Sequence, residues 1–177
     1  MTRKRRQNNT PTIQYKNMGF GTIPMRFDEY SIGYDLYTPR AIVVPAHSRF
    51  YLNLEFGIGL PFGVEGKVEP RSGFSGKGIE GYGAKVIRKK FLGIIPYHKT
   101  VSGKMRFNCD VLVGKIDPGY KGRVKVILKN DDVQFTIPEG TKIAQMTFYR
   151  TLQPKFIPVD ELTGYDRGGG LGHSGAK

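Results

Sequence analysis

Residues 114–129 read GKIDPGYKGRVKVILK and join a turn to a strand. A Pro-Gly pair at positions 118–119 supplies the natural central residues of a turn, and the carboxylate of Asp117 comes just before it. Aliphatic residues then alternate with basic ones, which is the period-2 pattern of a strand with one wet face. The alternating aliphatic residues are Val124, Val126 and Leu128. The stretch therefore predicts a hairpin with a carboxylate at its entrance.

Strand-like runs of β-branched and aromatic residues recur between turn signals along the rest of the chain. They lie at 41–44, 50–57, 64–68, 105–113, 123–129, 133–137 and 142–150. Glycine (24 residues) and proline (11 residues) are frequent enough to favour short strands and tight turns over long helices. At most a helical turn or two is predicted, near 60–63 or 160–162. The sequence therefore predicts an all-β fold, a jelly-roll-like antiparallel barrel or sandwich.

The chain has 177 residues, which is enough for one domain with a real core and too few for two comfortable ones. We expect a basic disordered arm at 1–12, a single β-rich domain at 13–163 and a flexible glycine-rich lid at 164–177. Cys109 is the one cysteine, so an internal disulfide is excluded. A cytoplasmic location is expected, or the host cytoplasm or nucleus if the protein is viral. No apolar run is long enough to cross a bilayer, so we expect no membrane partner.

The net charge of +13 is concentrated in two segments. Residues 1–26 hold six basic residues and residues 81–106 hold seven, and neither segment contains an Asp or a Glu. Within 81–106 the basic residues are interleaved with Tyr82, Phe91 and Tyr97. This composition fits a nucleic acid or an acidic protein as partner of the insertion and of the N-terminal arm. For 81–106 the plainer interpretation, a solvated β-hairpin, is favoured, and a flap that steers an anionic substrate is a third possibility. A plain disordered tail is the alternative for the arm.

Four further clusters combine a turn-forming glycine with a polar group that suits a phosphate or a nucleotide. They read SIGYDLY at 31–37, PRSGF at 70–74, EGTKIAQM at 139–146 and RGGGLGHSG at 167–175.

Within these clusters, Arg71 and Ser72 offer a fork of charged donors and a hydroxyl. Gly73 follows them, and its backbone permits the close approach of an anion. Gln145 occupies an alternation position of a strand-like run, where a polar side chain requires a partner. Plainer interpretations stay open for three residues: Arg71 as a buried structural arginine, Asp35 as a turn aspartate and Asp117 as a cap of its own turn.

Together the five clusters resemble the motif set of the trimeric dUTPases, which hydrolyse dUTP to dUMP and pyrophosphate. The resemblance implies that Asp117 is the general base that activates water, a role that suits a carboxylate. It also implies that Tyr120 packs on the deoxyribose and disfavours a 2′-hydroxyl.

On the phosphate side, the resemblance implies that Arg71, Ser72 and Gly73 belong to a triphosphate clamp. It implies that Gln145 contacts the α-phosphate or its attacking water, and that Arg167 reaches the terminal phosphate.

The resemblance also implies Mg²⁺ as cofactor, held mainly by the triphosphate oxygens with no direct protein ligand. Asp35 would support the site, as a possible water-mediated contact of the metal. The family assembles as a homotrimer in which the glycine-rich tail crosses to another subunit, so the site would need the oligomer.

The sequence departs from the family in its last cluster, where Leu171 holds the position of an aromatic that stacks on uracil. The shorter spacing after PRSGF is similar to that of the related dCTP deaminases. Those enzymes place a catalytic Glu about ten residues after the hairpin Asp, and Ile127 stands there in this chain. The deaminase is therefore the weaker enzyme hypothesis, and a non-enzymatic regulatory or binding protein on the same scaffold is the other alternative.

Overall fold

The computed structural model describes residues 10–166 and residue 168. Most of the predicted arm and lid, including Arg167 and Leu171, therefore lies outside the described residues. The described part forms short strands and one short helix, α1, at Ser72–Lys77. The strands are β1 Gln14–Asn17, β2 Tyr34–Tyr37, β3 Ile42–Val44, β4 Ser48–Gly59, β5 Val64–Glu69, β6 Ile79–Phe91, β7 Ile95–Phe107, β8 Cys109–Leu112, β9 Gly114–Ile116, β10 Arg123–Asn130, β11 Phe135–Ile137 and β12 Lys142–Arg150.

The strands form three four-stranded sheets, with the orders β1-β4-β10-β8, β3-β11-β6-β7 and β2-β12-β5-β9. Every pairing in these sheets is antiparallel. The predicted all-β, jelly-roll-like antiparallel fold is thereby confirmed.

The core lies between the sheets and is filled by alternate residues of their strands. In β10 the predicted alternation is confirmed, because its aliphatic residues at even positions are buried. Phe107 and Phe135 stack in this core with ring centroids 4.1 Å apart and nearly parallel planes. Cys109 is buried beside them, and burial, reinforced by the nearby Asp110, Asp131 and Asp132, raises the pKa of its thiol to about 12.

The predicted helical turns at 60–63 and 160–162 are wrong, since neither segment is helical. The helix lies instead at Ser72–Lys77, a segment rich in serine and glycine. Its first turn is closed by the carbonyl of Arg71, which accepts hydrogen bonds from the N–H groups of Phe74 and Ser75. Serine and glycine have low helix propensity, so these residues do not predict a helix from sequence. The helix forms because the chain turns here between β5 and β6.

The single strand predicted at 105–113 is divided at Asn108. The N–H of Asn108 donates to the carboxylate of Asp132 at 2.9 Å, and its carbonyl accepts the N–H of Asp131. These contacts bend the chain from β7 in one sheet to β8 in another.

The predicted insertion at 81–106 forms most of a long β6–β7 hairpin with continuous pairing from Ile79 and Phe107 to Phe91 and Ile95. This is the hairpin conformation given above as one alternative. In the described part of the chain, no helix is long and apolar enough to cross a membrane.

We predict that Phe135→Ala lowers the free energy of unfolding by about 3–5 kcal/mol, because it leaves a cavity against Phe107. Urea denaturation followed by circular dichroism measures this loss. The matched control is Phe62→Ala, since Phe62 is exposed and its truncation opens no cavity. An equal effect of the two changes would contradict the central position of the stacked pair.

Candidate active site

β12 lies between β2 and β5 and brings three of the glycine-containing clusters into one row. Gln145 of β12 is the register partner of Asp35 on one side and of Glu69 on the other. From Glu69 the chain leads directly into Arg71 and Ser72. Side chains far apart in sequence are therefore adjacent at this edge of the sheet.

Asp35 is the electrostatic centre of this row, with only 7% of its surface exposed. One carboxylate oxygen is 3.0 Å from Nε of Arg71, and the other is 2.8 Å from Nζ of Lys142. The hydrogen bond from Lys142 to Asp35 is the largest cause of the raised pKa of that lysine, with desolvation acting against it. Lys142 therefore stays protonated at neutral pH and shares the carboxylate with Arg71.

Arg71 is neither free nor deeply buried, since 34% of its side chain is exposed. Its closest contact with Asp35 uses Nε, and the residue also lines the neighbouring cleft. Sequence reasoning found Arg71 and Asp35 separately and missed Lys142. The available signal was the position of Lys142 in the EGTKIAQM cluster, three residues before Gln145.

Gln145 finds its partner within the chain, since its Nε2 donates to the carbonyl of Pro70 at 3.2 Å. Gly33 makes room for it, because a Cβ at Gly33 would lie 2.6 Å from Oε1 of Gln145. The glycine of the first cluster and the amide of the fourth thus fit against each other.

Gly73, by contrast, has open space around it, because a Cβ there would meet nothing within 4 Å. Its backbone and the hydroxyl of Ser72 border a cleft of about 580 Å³. Two further cations line this cleft, Lys77 from α1 and Arg106 from the base of the β6–β7 hairpin. In the sequence Arg106 belongs to the basic insertion, and no motif marks Lys77. The cleft is cationic and hydroxyl-lined, as a site for phosphate oxygens requires.

Asp117 and Tyr120 lie in a second, smaller cleft of about 250 Å³. Its walls include Tyr51 and aliphatic residues, and Ile127 is among them. The N–H of Tyr120 donates to the carbonyl of Asp117 at 3.0 Å and closes the predicted turn. In the described residues the carboxylate of Asp117 makes no hydrogen bond to its own turn, so the capping interpretation is wrong.

The segment 114–122 is not a hairpin, contrary to the prediction. β9 pairs with β5, whereas β10 pairs with β4 and β8 in a different sheet. The turn therefore crosses between two sheets, because β5 offers a free edge to the short β9. A hairpin turn and a turn that crosses between sheets have the same sequence pattern, so the pattern does not distinguish them.

Tyr120 is held over its own turn. Its hydroxyl donates to the carbonyl of Arg123 at 2.7 Å, and a Cβ at Gly122 would lie 2.7 Å from the ring. Glycine at 122 is therefore required for this position of the aromatic ring.

Asp117 and Arg71 are separated along β5. In the register of β5 with β9, Ile116 pairs with Gly66, which places Asp117 near the beginning of β5. Arg71 follows the other end of the strand, six residues beyond Glu65, a distance of about 20 Å at the rise of a β-strand. One copy of the chain therefore does not bring Asp117 to Arg71.

Among residues 10–166 and 168, no cluster of three or more His, Cys, Asp or Glu side chains could hold a metal ion. Both oxygens of Asp35 already contact cationic side chains. This donor set does not form a protein cage for a divalent cation. It suits an ion that arrives with oxygen ligands of its own.

The dUTPase family model matches residues 21–108 and 100–175, which is most of the chain. The chain belongs to the dUTPase family. The mitochondrial deoxyuridine 5′-triphosphate nucleotidohydrolase of Dictyostelium discoideum is 32% identical over 157 residues, covering 88% of this chain and 72% of that protein. The probable deoxyuridine 5′-triphosphate nucleotidohydrolase of Schizosaccharomyces pombe is 32% identical over 156 residues, covering 87% of this chain and 91% of that protein.

Solved dUTPase structures share the fold. The structure of the Staphylococcus bacteriophage 80alpha dUTPase with dUPNHPP has a TM-score of 0.73 at 20% identity and covers 94% of this chain and all of that one. A dUTPase from phage phi11 of S. aureus, described with a structural Mg(II) ion, has a TM-score of 0.67 at 19% identity, covering 86% of this chain and 99% of that one.

We predict that Gly33→Ala displaces the side chain of Gln145 and breaks its hydrogen bond to Pro70, because the added methyl group would overlap Oε1. The side-chain amide signals of Gln145 in an NMR correlation spectrum, assigned with Gln145→Leu, are expected to shift. Gly76→Ala is the control, since a Cβ there meets nothing within 4 Å. If the Gln145 signals do not shift in Gly33→Ala, the close packing of Gly33 does not fix the position of the Gln145 amide.

Proposed function

We propose that this protein hydrolyses dUTP to dUMP and pyrophosphate, and thereby limits uracil incorporation into DNA and supplies dUMP. One observation carries the proposal: a dUTPase-family chain holds both a cationic cleft with Arg71 and Ser72 and an apolar cleft with Asp117 and Tyr120. The first cleft suits a triphosphate and the second suits a nucleoside.

On the phosphate side, Arg71 presents its terminal N–H groups while Asp35 fixes the orientation of the guanidinium. The hydroxyl of Ser72 and the open backbone of Gly73 add donors at the bond that breaks. Gln145 contacts the α-phosphate or its attacking water. Donors fixed before the reaction stabilise charge that develops in the transition state without reorganising at that moment.

On the nucleoside side, Asp117 acts as the general base. Its carboxylate is exposed and, in the described residues, has neither an ion-pair partner nor a hydrogen bond that would occupy it. It therefore accepts a hydrogen bond from water and takes the proton as the water oxygen attacks the α-phosphorus. Tyr120 packs on the deoxyribose and disfavours a 2′-hydroxyl.

The complete site lies between copies of the chain. Asp117 and Arg71 lie toward opposite ends of β5, so Asp117 of one copy serves the Arg71 of another. Residues 151–165 support an assembly, because they carry large apolar side chains that are almost fully exposed in the single chain. These side chains are Leu152, Phe156, Ile157, Leu162 and Tyr165. We propose the homotrimer of the family.

Arg167 and Leu171 complete the site from the C-terminal lid, and both lie outside the described residues. In this proposal Arg167 reaches the terminal phosphate and Leu171 covers the uracil. An aliphatic residue in place of a stacking aromatic weakens binding by on the order of 1 kcal/mol.

We propose that Mg²⁺ enters with the substrate and is held mainly by triphosphate oxygens and water. When bound it neutralises part of the triphosphate charge. Asp35 would support the bound ion through water, since Arg71 and Lys142 already contact its oxygens.

Deamination of dCTP is disfavoured by the second cleft. Ile127, at the position where the related deaminases carry a catalytic Glu, lines the cleft that holds Asp117. An aliphatic side chain cannot transfer the protons that deamination requires.

We predict that Asp117→Asn lowers kcat for dUTP by about 10²–10⁴-fold, because the amide cannot accept the proton of the attacking water. Pyrophosphate release with Mg²⁺ measures the rate, with dCTP, dTTP and UTP run beside dUTP. Asp110→Asn is the control, since Asp110 is an exposed carboxylate of β8. Turnover of dCTP in place of dUTP would refute the proposed substrate, and full activity of Asp117→Asn would refute the base.

We also predict that two inactive variants restore each other. If Asp117→Asn and Arg71→Gln subunits are unfolded, mixed in equal amounts and refolded, about a quarter of the sites combine an intact Arg71 with an intact Asp117 from another copy. The mixture is then expected to recover about a quarter of the wild-type activity, while each variant refolded alone stays inactive. No recovery in mixtures shown to contain both variants would mean that each copy supplies a complete site.

A further inference from the structure

The distal part of the β6–β7 hairpin projects from the body of the protein. β6 pairs with β11 only as far as Gly83, and beyond that point β6 and β7 pair with each other alone. The unsupported ribbon from Gly83 to Phe91 is about 25 Å long at the rise of a β-strand. Every residue from 88 to 100 is exposed. Residues 88–100 therefore contribute nothing to the core, and the fold does not restrict which side chains they carry.

Cations at the base of the hairpin have carboxylate partners, either in the body of the protein or within the hairpin itself. Lys85 pairs with Asp132, and Lys104 and Arg106 pair with Glu80. The distal cations differ, because none has a carboxylate partner among the described residues. These distal cations are Arg88, Lys89, Lys90 and Lys99.

Apolar side chains cover the tip of the ribbon. Leu92 and Ile94, at the turn, are 80% and 79% exposed, and Phe91 and Ile95 form the last cross-strand pair. Tyr97 lies directly across from Lys89 and shares a face with Phe91 and Ile95, because residues two apart in a strand point to the same side. Lys89 and Lys99 therefore share this face with the aromatic residues, and Arg88 and Lys90 project from the opposite face of the same exposed ribbon.

Single-stranded nucleic acid matches this surface better than a duplex does. Its phosphates complement the four unpaired cations, and its unstacked bases expose apolar faces that stack on Phe91 and Tyr97 and cover Leu92 and Ile94. A duplex offers the same phosphates but hides its base faces, which would leave the apolar tip in water. A net charge of +13 attracts any polyanion to the protein, and the arrangement at the tip adds the selectivity.

We propose that the distal β6–β7 hairpin binds single-stranded nucleic acid, with Arg88, Lys89, Lys90 and Lys99 on its phosphates and Phe91 and Tyr97 against its bases. This interaction is independent of dUTP hydrolysis, because none of these side chains lines either cleft.

Fluorescence anisotropy of a labelled oligothymidylate of about 20 nucleotides, titrated with the full-length protein, tests the proposal. Four phosphate contacts predict that log K falls with log salt concentration at a slope of about −3 from this hairpin. The decisive variant replaces residues 88–98 by an Asn-Gly dipeptide, which joins Ile87 to its cross-strand partner Lys99 through a two-residue hairpin turn. Its dUTPase activity is expected to be unchanged and its affinity for the oligonucleotide to fall at least tenfold.

Point variants separate the charge from the stacking. Arg88→Gln with Lys99→Gln is expected to reduce the salt slope by about 1.4, the share of two cations on a single strand. Its matched control is Arg49→Gln with Lys129→Gln, which removes one arginine and one lysine from a cross-strand pair of β4 and β10 and should leave the slope nearly unchanged. Phe91→Ala is expected to weaken binding about fivefold or more without altering the slope, as for the loss of one stacking contact.

Three results would overturn the proposal. The shortened hairpin could bind the oligonucleotide as tightly as the wild type, which would assign binding to other basic segments. A duplex of the same length could bind equally well and resist Phe91→Ala, which would reduce the surface to a general polycation. Vesicles of phosphatidylserine and phosphatidylcholine could bind through the tip while the oligonucleotide does not, which would identify a membrane surface as the partner.

Discussion

The double ion pair of Asp35 with Arg71 and Lys142 is the interaction on which the rest of the site depends. Burying an unpaired carboxylate costs folding free energy, and here two cations offset that cost. One cation follows the end of β5 and the other begins β12. The ion pairs tie β2, the end of β5 and the start of β12 together at one edge of the sheet. The same Arg71 lines the cleft, so one arrangement serves stability and, in the proposed function, the binding of phosphate.

Strand register then keeps the two groups of candidate site residues apart within one copy of the chain. β5 carries the phosphate cleft at its end and, through its pairing with β9, the Asp117 turn at its beginning. Because a strand is rigid and extended, no local rearrangement closes a gap of about 20 Å between these groups. The proposed function therefore requires surfaces of neighbouring copies, and the exposed apolar residues after β12 are consistent with that requirement.

The basic hairpin is an addition to this framework and leaves it unchanged. Its base is integrated, since Gly81 and Gly83 pack closely against Phe135 and Phe107 and Arg106 reaches the phosphate cleft. Its distal half pairs with no strand of the body, and in the described residues its cations have no carboxylate partner. A segment that is free of structural duties and carries unpaired cations around an apolar tip is suited to recognition of a partner.

The sequence by itself determined the fold class, the strands with clear alternation and the identity of the motif residues, because period-2 burial, turn chemistry and charged side chains are local properties of the chain. The register of β12 between β2 and β5, the partnership of Lys142 with Asp35 and the contribution of Arg106 to the cleft are decided only by tertiary structure. The same holds for the turn at 117–120, whose residues fit a hairpin and a crossover equally well. Pairing between distant strands depends on which edge the folded sheet leaves free, and no local pattern of residues encodes that edge.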